Sequence, residues 1–225
     1  LGPVVGLWNF DDETGEVPEK TRLQQALNLT GLKDIQIKER EARLDRPGMA
    51  LHLGAVGKGY AVDRAMEALE ESGIKNALIN AGGDLKVSGR RAEGRPWRIG
   101  LQHPRYPQEM IASMGLSQKA VATSGDYQKY FLRNGVRYHH ILDPVDGMPA
   151  RGPISATVVS DNVMDADALA TAVFVLGADR GISLIDSLDK VEGMVVLEDG
   201  SARFSKGFQS QPEFVFHGFK NNVPH

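Results

Sequence analysis

The chain has 225 residues, of which 41% are hydrophobic and 24% are charged, a profile typical of a globular protein with a sizeable core. Its formal net charge is −3 and no Lys/Arg run is long enough to follow a phosphate backbone, which argues against nucleic-acid binding. No apolar stretch approaches the roughly 20 residues that cross a bilayer. The absence of cysteine excludes thiol catalysis, disulfides, and iron–sulfur and cysteine-zinc sites.

The first residues are unusual for a chain start. Leu1-Gly2-Pro3 lacks an initiator Met, and the aromatic Trp8 and Phe10 follow at once. No charged region followed by a cleavage site indicates a signal peptide. This pattern is typical of the interior of a domain, so we expect an upstream segment that this chain lacks.

Hydrophobic periodicity and turn residues predict the elements along the chain. The clearest is a helix in which Val62, Met66 and Leu69 form an apolar stripe and Gly73 provides the stop. Strands outnumber helices and come mostly in sequential pairs, which indicates an α+β fold rather than a doubly wound parallel sheet. The predicted elements are a helix over 18–29, two strands within 33–53 around a turn at 46–48, a helix over 59–72, a hairpin over 76–88, strands over 97–101 and 112–122, a hairpin over 123–144, a strand over 154–160, helices over 165–176 and 180–188, and a hairpin of 194–197 with 202–204.

The richest cluster of polar residues falls within the predicted hairpin 123–144. The runs Thr123-Ser-Gly-Asp-Tyr127 and Tyr138-His-His-Ile-Leu-Asp-Pro144 contain hydroxyls, two carboxylates and two imidazoles. Buried polar groups need partners, so such a cluster favours a ligand site or catalysis. Because side chains alternate along a strand, only one of His139 and His140 is expected to line the site. A Ser/His/Asp hydrolase triad is disfavoured, since no Gly-x-Ser-x-Gly elbow is present.

The segment Leu51-His-Leu-Gly-Ala-Val-Gly-Lys-Gly-Tyr60 predicts a strand, a glycine-rich turn and the start of a helix. Free N–H groups at a helix start suit phosphate, and Lys58 adds positive charge. The spacing matches neither a Walker A loop nor a Rossmann fingerprint. A tight strand–helix turn without a ligand explains the glycines equally well.

Asn80-Ala-Gly-Gly-Asp84 is a second candidate, because its glycines permit close approach of the backbone to a ligand. A plain hairpin turn is the simpler explanation.

In Met164-Asp-Ala-Asp-Ala-Leu-Ala-Thr171, Asp167 and Thr171 share a helix face, and their oxygens suit Mg²⁺. Alternatively, Asp165 and Asp167 only complement the helix dipole, and for Asp165 this is the better explanation.

Taken in order, these motifs resemble the ApbE family of flavin transferases. The matching runs are Leu53–Asp63, Asn80–Asp84, Thr123–Tyr127, His140–Pro144 and Ala166–Thr171. The resemblance implies one ApbE-like, T-fold-related domain over residues 1–225, with mostly antiparallel sheets packed against helices. It also implies Mg²⁺-dependent transfer of FMN from FAD to a Thr or Ser hydroxyl of a target protein, with release of AMP.

The resemblance further implies a set of site residues. Asp167, Thr171, the carbonyl of Ala55 and the position of Ala170 match the family's metal ligands, and His140 matches the base that activates the acceptor hydroxyl. Lys58 and Ile141 match flavin-nucleotide contacts. The other residues expected to contact FAD are Gly57, Asn80, Gly83, Asp84, Ser124 and Asp126, together with His52 at a position where the family usually carries an acid. A histidine cannot supply the same fixed negative charge, so we expect altered FAD affinity.

The expected partners are FAD and a flavinylated subunit of a sodium-translocating NADH:quinone oxidoreductase or an Rnf-type complex. The expected location is the periplasmic face of a bacterial inner membrane, through a family lipid anchor that this chain does not contain. Two alternatives remain, a FAD pyrophosphatase that gives FMN and AMP and a FAD-binding protein without catalysis.

Overall fold

A computed structural model describes residues 1–10 and 15–219. The helices are α1 (Gly2–Val5), α2 (Lys20–Leu27), α3 (Gly57–Glu71), α4 (Val163–Leu176) and α5 (Ala178–Asp186). The strands are β1 (Ile35–Lys38), β2 (Glu41–Leu44), β3 (Ala77–Ala81), β4 (Asp84–Ser88), β5 (Trp97–Gln102), β6 (Met110–Leu116), β7 (Lys119–Gly125), β8 (Tyr130–Arg133), β9 (Val136–His139), β10 (Pro153–Ser160), β11 (Glu192–Leu197), β12 (Ala202–Phe204) and β13 (Val215–Phe216).

The chain divides into two compact units. The first unit, Leu1–Leu53 with Gln128–Ala150, contains α1, α2 and the two-stranded sheets β1–β2 and β8–β9. Its core is an aromatic cluster in which Trp8 stacks on Phe10 at 5.4 Å and Phe131 stacks on Tyr138 at 5.2 Å between ring centroids. The Trp8 indole N–H donates to the carbonyl of Gly147 at 3.0 Å, which ties the start of the unit to its second segment.

The second unit, Gly54–Tyr127 with Arg151–His225, is built on a six-stranded sheet in the order β12-β11-β10-β7-β4-β3. Each pair of neighbours in this sheet is antiparallel. Val121 packs towards the three-stranded sheet β13-β6-β5, whereas the adjacent Ala120 packs towards α3 and α4. This alternation covers both faces of the central sheet, which explains why every residue of β10 is buried.

Most predicted elements are confirmed. The structure contains the four predicted helices as α2 to α5, the β3–β4 hairpin around two glycines, the strand β10 and the β11–β12 hairpin. The predicted α+β class with antiparallel sheets is therefore correct. The chain forms two compact units, and whether they make up one domain over residues 1–225 stays a prediction.

Three local predictions were wrong. The turn within 33–53 lies between β1 and β2 rather than at 46–48, and the segment 49–53 is irregular instead of a strand. Glu39 takes a positive φ of 54° at the tight turn, and the Arg46 guanidinium holds the later bend by donating to Asp34 at 2.7 Å. The predicted single strand 112–122 is divided between β6 and β7, which belong to different sheets.

The third error concerns the predicted hairpin over 123–144. Thr123 and Ser124 belong to β7 in the second unit, whereas the hairpin itself is the β8–β9 pair of the first unit, around Asn134 and Gly135. Pairing with β10 across residues 120–125 extends β7 into a long central strand. The two polar runs are therefore close in sequence but belong to separate sheets.

Gly59 allows α3 to approach α4 closely, and its replacement tests this contact. A Cβ at Gly59 would lie 2.5 Å from the carbonyl oxygen of Val163 and 2.7 Å from the Cα of Met164. Because both are backbone atoms, we expect Gly59→Ala to lower the free energy of unfolding by about 1–3 kcal/mol, measured by urea denaturation.

Gly57→Ala is the matched control, since a Cβ at Gly57 meets nothing within 4 Å. Its free energy of unfolding is expected to stay unchanged or rise by up to about 1 kcal/mol. Equal stability losses in the two variants would contradict the close helix contact.

Candidate functional site

The glycine-rich segment places Lys58 in the first turn of α3. Residues 54–56 form a turn, and α3 begins at Gly57. The ammonium of Lys58 donates to Oδ2 of Asp84 at 2.5 Å. The Asp84 side chain is 1% exposed while that of Lys58 is 47% exposed, so a buried carboxylate anchors a cation that reaches solvent.

Asp84 lies in an environment that opposes its charge. Burial raises the pKa of the Asp84 carboxyl above its ordinary value, the Lys58 ammonium lowers it, and the charge of Asp167 raises it further. Two carboxylates therefore influence each other within the second unit. A cation bound near them would relieve this repulsion.

Asp167 and Thr171 lie one turn apart on α4, as the sequence predicts. Asp167 is buried, and its Oδ2 accepts the backbone N–H of Gly59 at 3.2 Å. The hydroxyl oxygens of Thr171 and Ser124 are 3.0 Å apart. The helix face that carries the predicted metal ligands thus contacts both the start of α3 and the strand β7.

The N-terminus of α4 is held by a carboxylate from α3. Asp63 accepts the N–H groups of Val163 and Met164, each at 2.9 Å to Oδ2, and its Oδ1 accepts from the Lys86 ammonium at 2.9 Å. A negative charge at this end also complements the helix dipole. Asp165 has the structural role favoured by the sequence, because it exchanges hydrogen bonds with the N-cap residue Asn162.

The donor atoms on α4 fit a hard divalent cation. A carboxylate and a hydroxyl supply oxygen, the ligand type that Mg²⁺ prefers. Within residues 1–10 and 15–219, no group of three or more His, Asp or Glu side chains could hold a metal ion. An ion here would therefore rely also on other oxygens, such as the backbone carbonyl predicted for Ala55, in the turn before α3; the other predicted metal position, Ala170, is buried on α4.

The turn between β3 and β4 carries two further predicted contacts. The side-chain oxygen of Asn80 accepts the N–H of Gly83 at 2.9 Å, which closes the turn. Gly82 and Gly83 have φ values of 64° and 103°, which side chains rarely adopt. Asn80 thus has a structural use in the turn, and its role towards FAD stays a prediction.

Asp126 is paired with a residue that the sequence analysis did not single out. Both of its carboxylate oxygens accept from the guanidinium of Arg105, at 2.7 and 2.8 Å. Arg105 is distant in sequence from every recognised motif, so no local pattern could indicate this pair. In the sequence, Asp63 only marks the end of the motif Leu53–Asp63, because its capping of α4 depends on a contact 100 residues along the chain.

The first unit contains the predicted base, His140, and the neighbouring His139, and the two histidines have different contacts. His139 is buried and bonds through its ring to the carbonyl of Ala150 at 3.0 Å, which is a structural role. His140 is half-buried, and the carbonyl of Lys129 accepts from its ring Nδ1 at 3.2 Å and from its backbone N–H at 3.1 Å. Since a carbonyl only accepts, Nδ1 carries the ring proton and Nε2 has the acceptor form.

Two other predicted contacts also belong to the first unit. Ile141 is 4% exposed, and His52 is exposed in the irregular segment before the glycine-rich turn. The remaining predicted contacts and all four predicted metal ligands belong to the second unit. The contacts of these residues with FAD stay predictions.

Comparison with known proteins identifies the family. The model of the ApbE family matches residues 1–195, so the chain belongs to this family. The FAD:protein FMN transferase of Vibrio cholerae serotype O1 is 34% identical over 203 residues, which cover 88% of this chain and 61% of that protein. The FAD:protein FMN transferase of Treponema pallidum is 32% identical over 224 residues, which cover 92% of this chain and 62% of that protein. The chain thus spans about three fifths of the length of these relatives.

Solved structures support the same fold. The crystal structure of the ApbE protein from Thermotoga maritima matches with a TM-score of 0.84 at 38% identity, covering 93% of this chain and 70% of that one. The flavin transferase ApbE from Vibrio cholerae matches with a TM-score of 0.82 at 31% identity, covering 93% of this chain and 69% of that one.

Among the helices that the structure describes, none combines the length and apolarity needed to cross a membrane.

The pairing of Lys58 with Asp84 predicts a pH-dependent stability effect. Burial raises the pKa of Asp84 above its unfolded value, so the folded protein is favoured while this carboxyl is protonated. This contribution to the free energy of unfolding is lost as the pH rises and Asp84 ionises. Lys58 limits that loss only while Asp84 is ionised. We expect Lys58→Met to lower the free energy of unfolding by about 1 kcal/mol near neutral pH, since Lys58 is half exposed, and by less at acidic pH.

Urea denaturation at neutral and at acidic pH measures this difference. Arg64→Met is the control, because Arg64 forms an exposed ion pair with Glu67 on the same helix. Its effect is expected to be small at both pH values. A deficit for Lys58→Met that does not change with pH would contradict a role for the Asp84 charge.

Proposed function

We propose that this protein transfers FMN from FAD to a Thr or Ser hydroxyl of a target protein in a Mg²⁺-dependent reaction, with release of AMP. The observation that carries the proposal is the contact of Asp167 with Gly59. This contact brings the Asp167 carboxylate of α4 to the start of α3, where Lys58 is anchored by Asp84, and the Thr171 hydroxyl lies one turn further along α4. Family membership and the names of the relatives support the same activity.

The reaction is an exchange at the phosphorus atom of the FMN half of FAD. The acceptor hydroxyl oxygen forms a bond to this phosphorus, and the bond from the same phosphorus to the bridging oxygen breaks. AMP leaves with the bridging oxygen, and the hydroxyl proton passes to a base. Bound Mg²⁺ would neutralise charge on the pyrophosphate, which is its usual contribution to phosphoryl transfer.

The residues of the second unit would bind and orient the pyrophosphate. The N–H groups at the start of α3 and the Lys58 ammonium offer positive potential to phosphate oxygens. Asp84 restricts the position of that ammonium through the 2.5 Å hydrogen bond. Asp167, Thr171 and the backbone carbonyl of Ala55 would hold the Mg²⁺ ion, with the position of Ala170 completing its surroundings.

We assign the proton acceptor to His140. Its Nδ1 proton is directed to the carbonyl of Lys129, so Nε2 is the nitrogen able to take a proton. The rings of Phe10 and His140 pack in a T-shaped arrangement, with 6.5 Å between their centroids. Both contacts restrict the orientation of the ring, as a general base requires.

We also propose the remaining expectations from the family resemblance. The acceptor would be a subunit of a sodium-translocating NADH:quinone oxidoreductase or an Rnf-type complex. The reaction would take place at the periplasmic face of a bacterial inner membrane, where members with a lipoprotein anchor act. His52 would alter FAD affinity, and comparison of FAD binding by His52→Asp and the parent measures this effect.

The decisive experiment combines the protein with FAD, MgCl₂ and a peptide that carries the Thr/Ser acceptor motif. We expect AMP to appear together with a peptide whose mass has increased by FMN. Asp167→Ala is expected to lose both products, while the control Asp165→Ala on the same helix keeps them. His140→Ala is expected to keep FAD binding and to lose transfer.

Other outcomes distinguish the alternatives. Release of AMP and free FMN without modified peptide would indicate a FAD pyrophosphatase. FAD binding without AMP would indicate a binding protein. Unchanged turnover in His140→Ala would remove this residue as the base.

A further inference from the structure

The turn after β5 is organised around the buried ring of His103. This residue is 1% exposed, and its Nδ1 accepts the backbone N–H groups of Arg105 and Tyr106, each at 3.1 Å. The backbone N–H of His103 donates to the carbonyl of Glu109 at 2.9 Å. A ring nitrogen that accepts hydrogen bonds is unprotonated, so the imidazole is neutral and carries its proton on Nε2.

This turn is connected to the candidate site through Arg105. The guanidinium of Arg105 binds both carboxylate oxygens of Asp126, a geometry that fixes the orientation of the two side chains. Asp126 lies two residues after Ser124, whose hydroxyl contacts that of Thr171. His103 therefore orients the backbone from which the partner of Asp126 extends.

Capping alone does not explain an imidazole at this position. Asn or Asp closes such turns by accepting the same backbone N–H groups. His103 does so while its Nε2 is buried without a hydrogen-bond partner among the residues that the structure describes. A buried unpaired donor is unfavourable, and the property that histidine adds is a change of charge near neutral pH.

We propose that neutral His103 is a positioning residue that holds Arg105 on Asp126, and that protonation of its ring in acid weakens FAD binding. A protonated Nδ1 is a donor and would face two backbone N–H donors, so the turn must rearrange. The role of Asp126 towards FAD rests on the proposed function. The capping of the turn does not.

The surroundings of the ring set the direction of the pH effect. Burial lowers the pKa of His103, the Glu109 carboxylate opposes this, and the Arg105 guanidinium adds to it. The rings that contact His103, those of Tyr106 and Phe219, are uncharged at neutral pH. Because the folded pKa lies below the unfolded value of about 6.5, the stabilisation is complete above that pH and is lost as the pH falls.

The test compares the parent with His103→Asn, which keeps an acceptor for the turn and cannot be protonated. FAD affinity is measured by flavin fluorescence at about pH 7.5 and at about pH 5, because the pKa of His103 in the folded protein lies below the unperturbed value of about 6.5. The parent is expected to lose affinity roughly fivefold or more in acid. His103→Asn is expected to match the parent at the higher pH and to keep that affinity at the lower one.

Two further variants sharpen the comparison. His217→Asn changes an exposed histidine of the same unit and is expected to behave as the parent at both pH values. Arg105→Lys removes the bidentate contact and is expected to bind FAD more weakly at both. Equal acid losses in the parent and His103→Asn, or parental affinity in Arg105→Lys, would overturn the proposal.

Thermal unfolding at the same two pH values provides a readout that needs no FAD. The midpoint of His103→Asn is expected to exceed that of the parent by a larger margin in acid. If the parent fails to bind FAD, the proposed function fails, while this margin still decides the capping role. Equal shifts of both midpoints with pH would overturn that role, and His103→Gln, which also carries an amide that cannot be protonated, replaces the Asn variant if the latter does not fold.

Discussion

The contact between α3 and α4 is the interaction on which the candidate site depends. The Asp63 carboxylate satisfies two N–H groups at the start of α4, which would otherwise lack partners inside the helix. Gly59 lets the two backbones approach so closely that no side chain fits between them. The same approach brings the Gly59 N–H to Asp167. One packing contact therefore determines where the carboxylate of α4 lies relative to the start of α3.

The second unit buries more acidic charge in this region than stability alone requires. Asp84, Asp126 and Asp167 are all buried, and each has a hydrogen-bonded partner. Buried ion pairs seldom stabilise a fold more than apolar residues of similar volume would. Their concentration on β4, on α4 and directly after β7 is better explained by ligand binding, which needs groups of fixed position in a medium of low dielectric constant.

The sequence predicts those parts of the molecule that depend on local patterns. The apolar stripe of Val62 and Met66 and the stop at Gly73 locate α3, and paired glycines locate the β3–β4 hairpin. Local patterns failed for 49–53, where alternating Leu51 and Leu53 are largely exposed and form no strand. They also missed Asp63 as a cap and Arg105 as a partner of Asp126, because both contacts join residues far apart in the chain. The family resemblance supplied the candidate ligands, and the structure adds how Gly59, Asp63 and Arg105 orient them.

The binding of Mn²⁺, a spectroscopic substitute for Mg²⁺, to Asp63→Ala tests the central claim most directly. Electron paramagnetic resonance titration compares this variant with the parent and with Glu67→Ala, which removes an exposed acid from the same helix. Loss of a group that orients the metal ligands without contacting the metal commonly weakens metal binding by about 10- to 100-fold. We expect a loss of this size in Asp63→Ala with helical content preserved, and parental affinity in Glu67→Ala. Parental Mn²⁺ affinity in a folded Asp63→Ala would show that the α3–α4 contact does not organise the site.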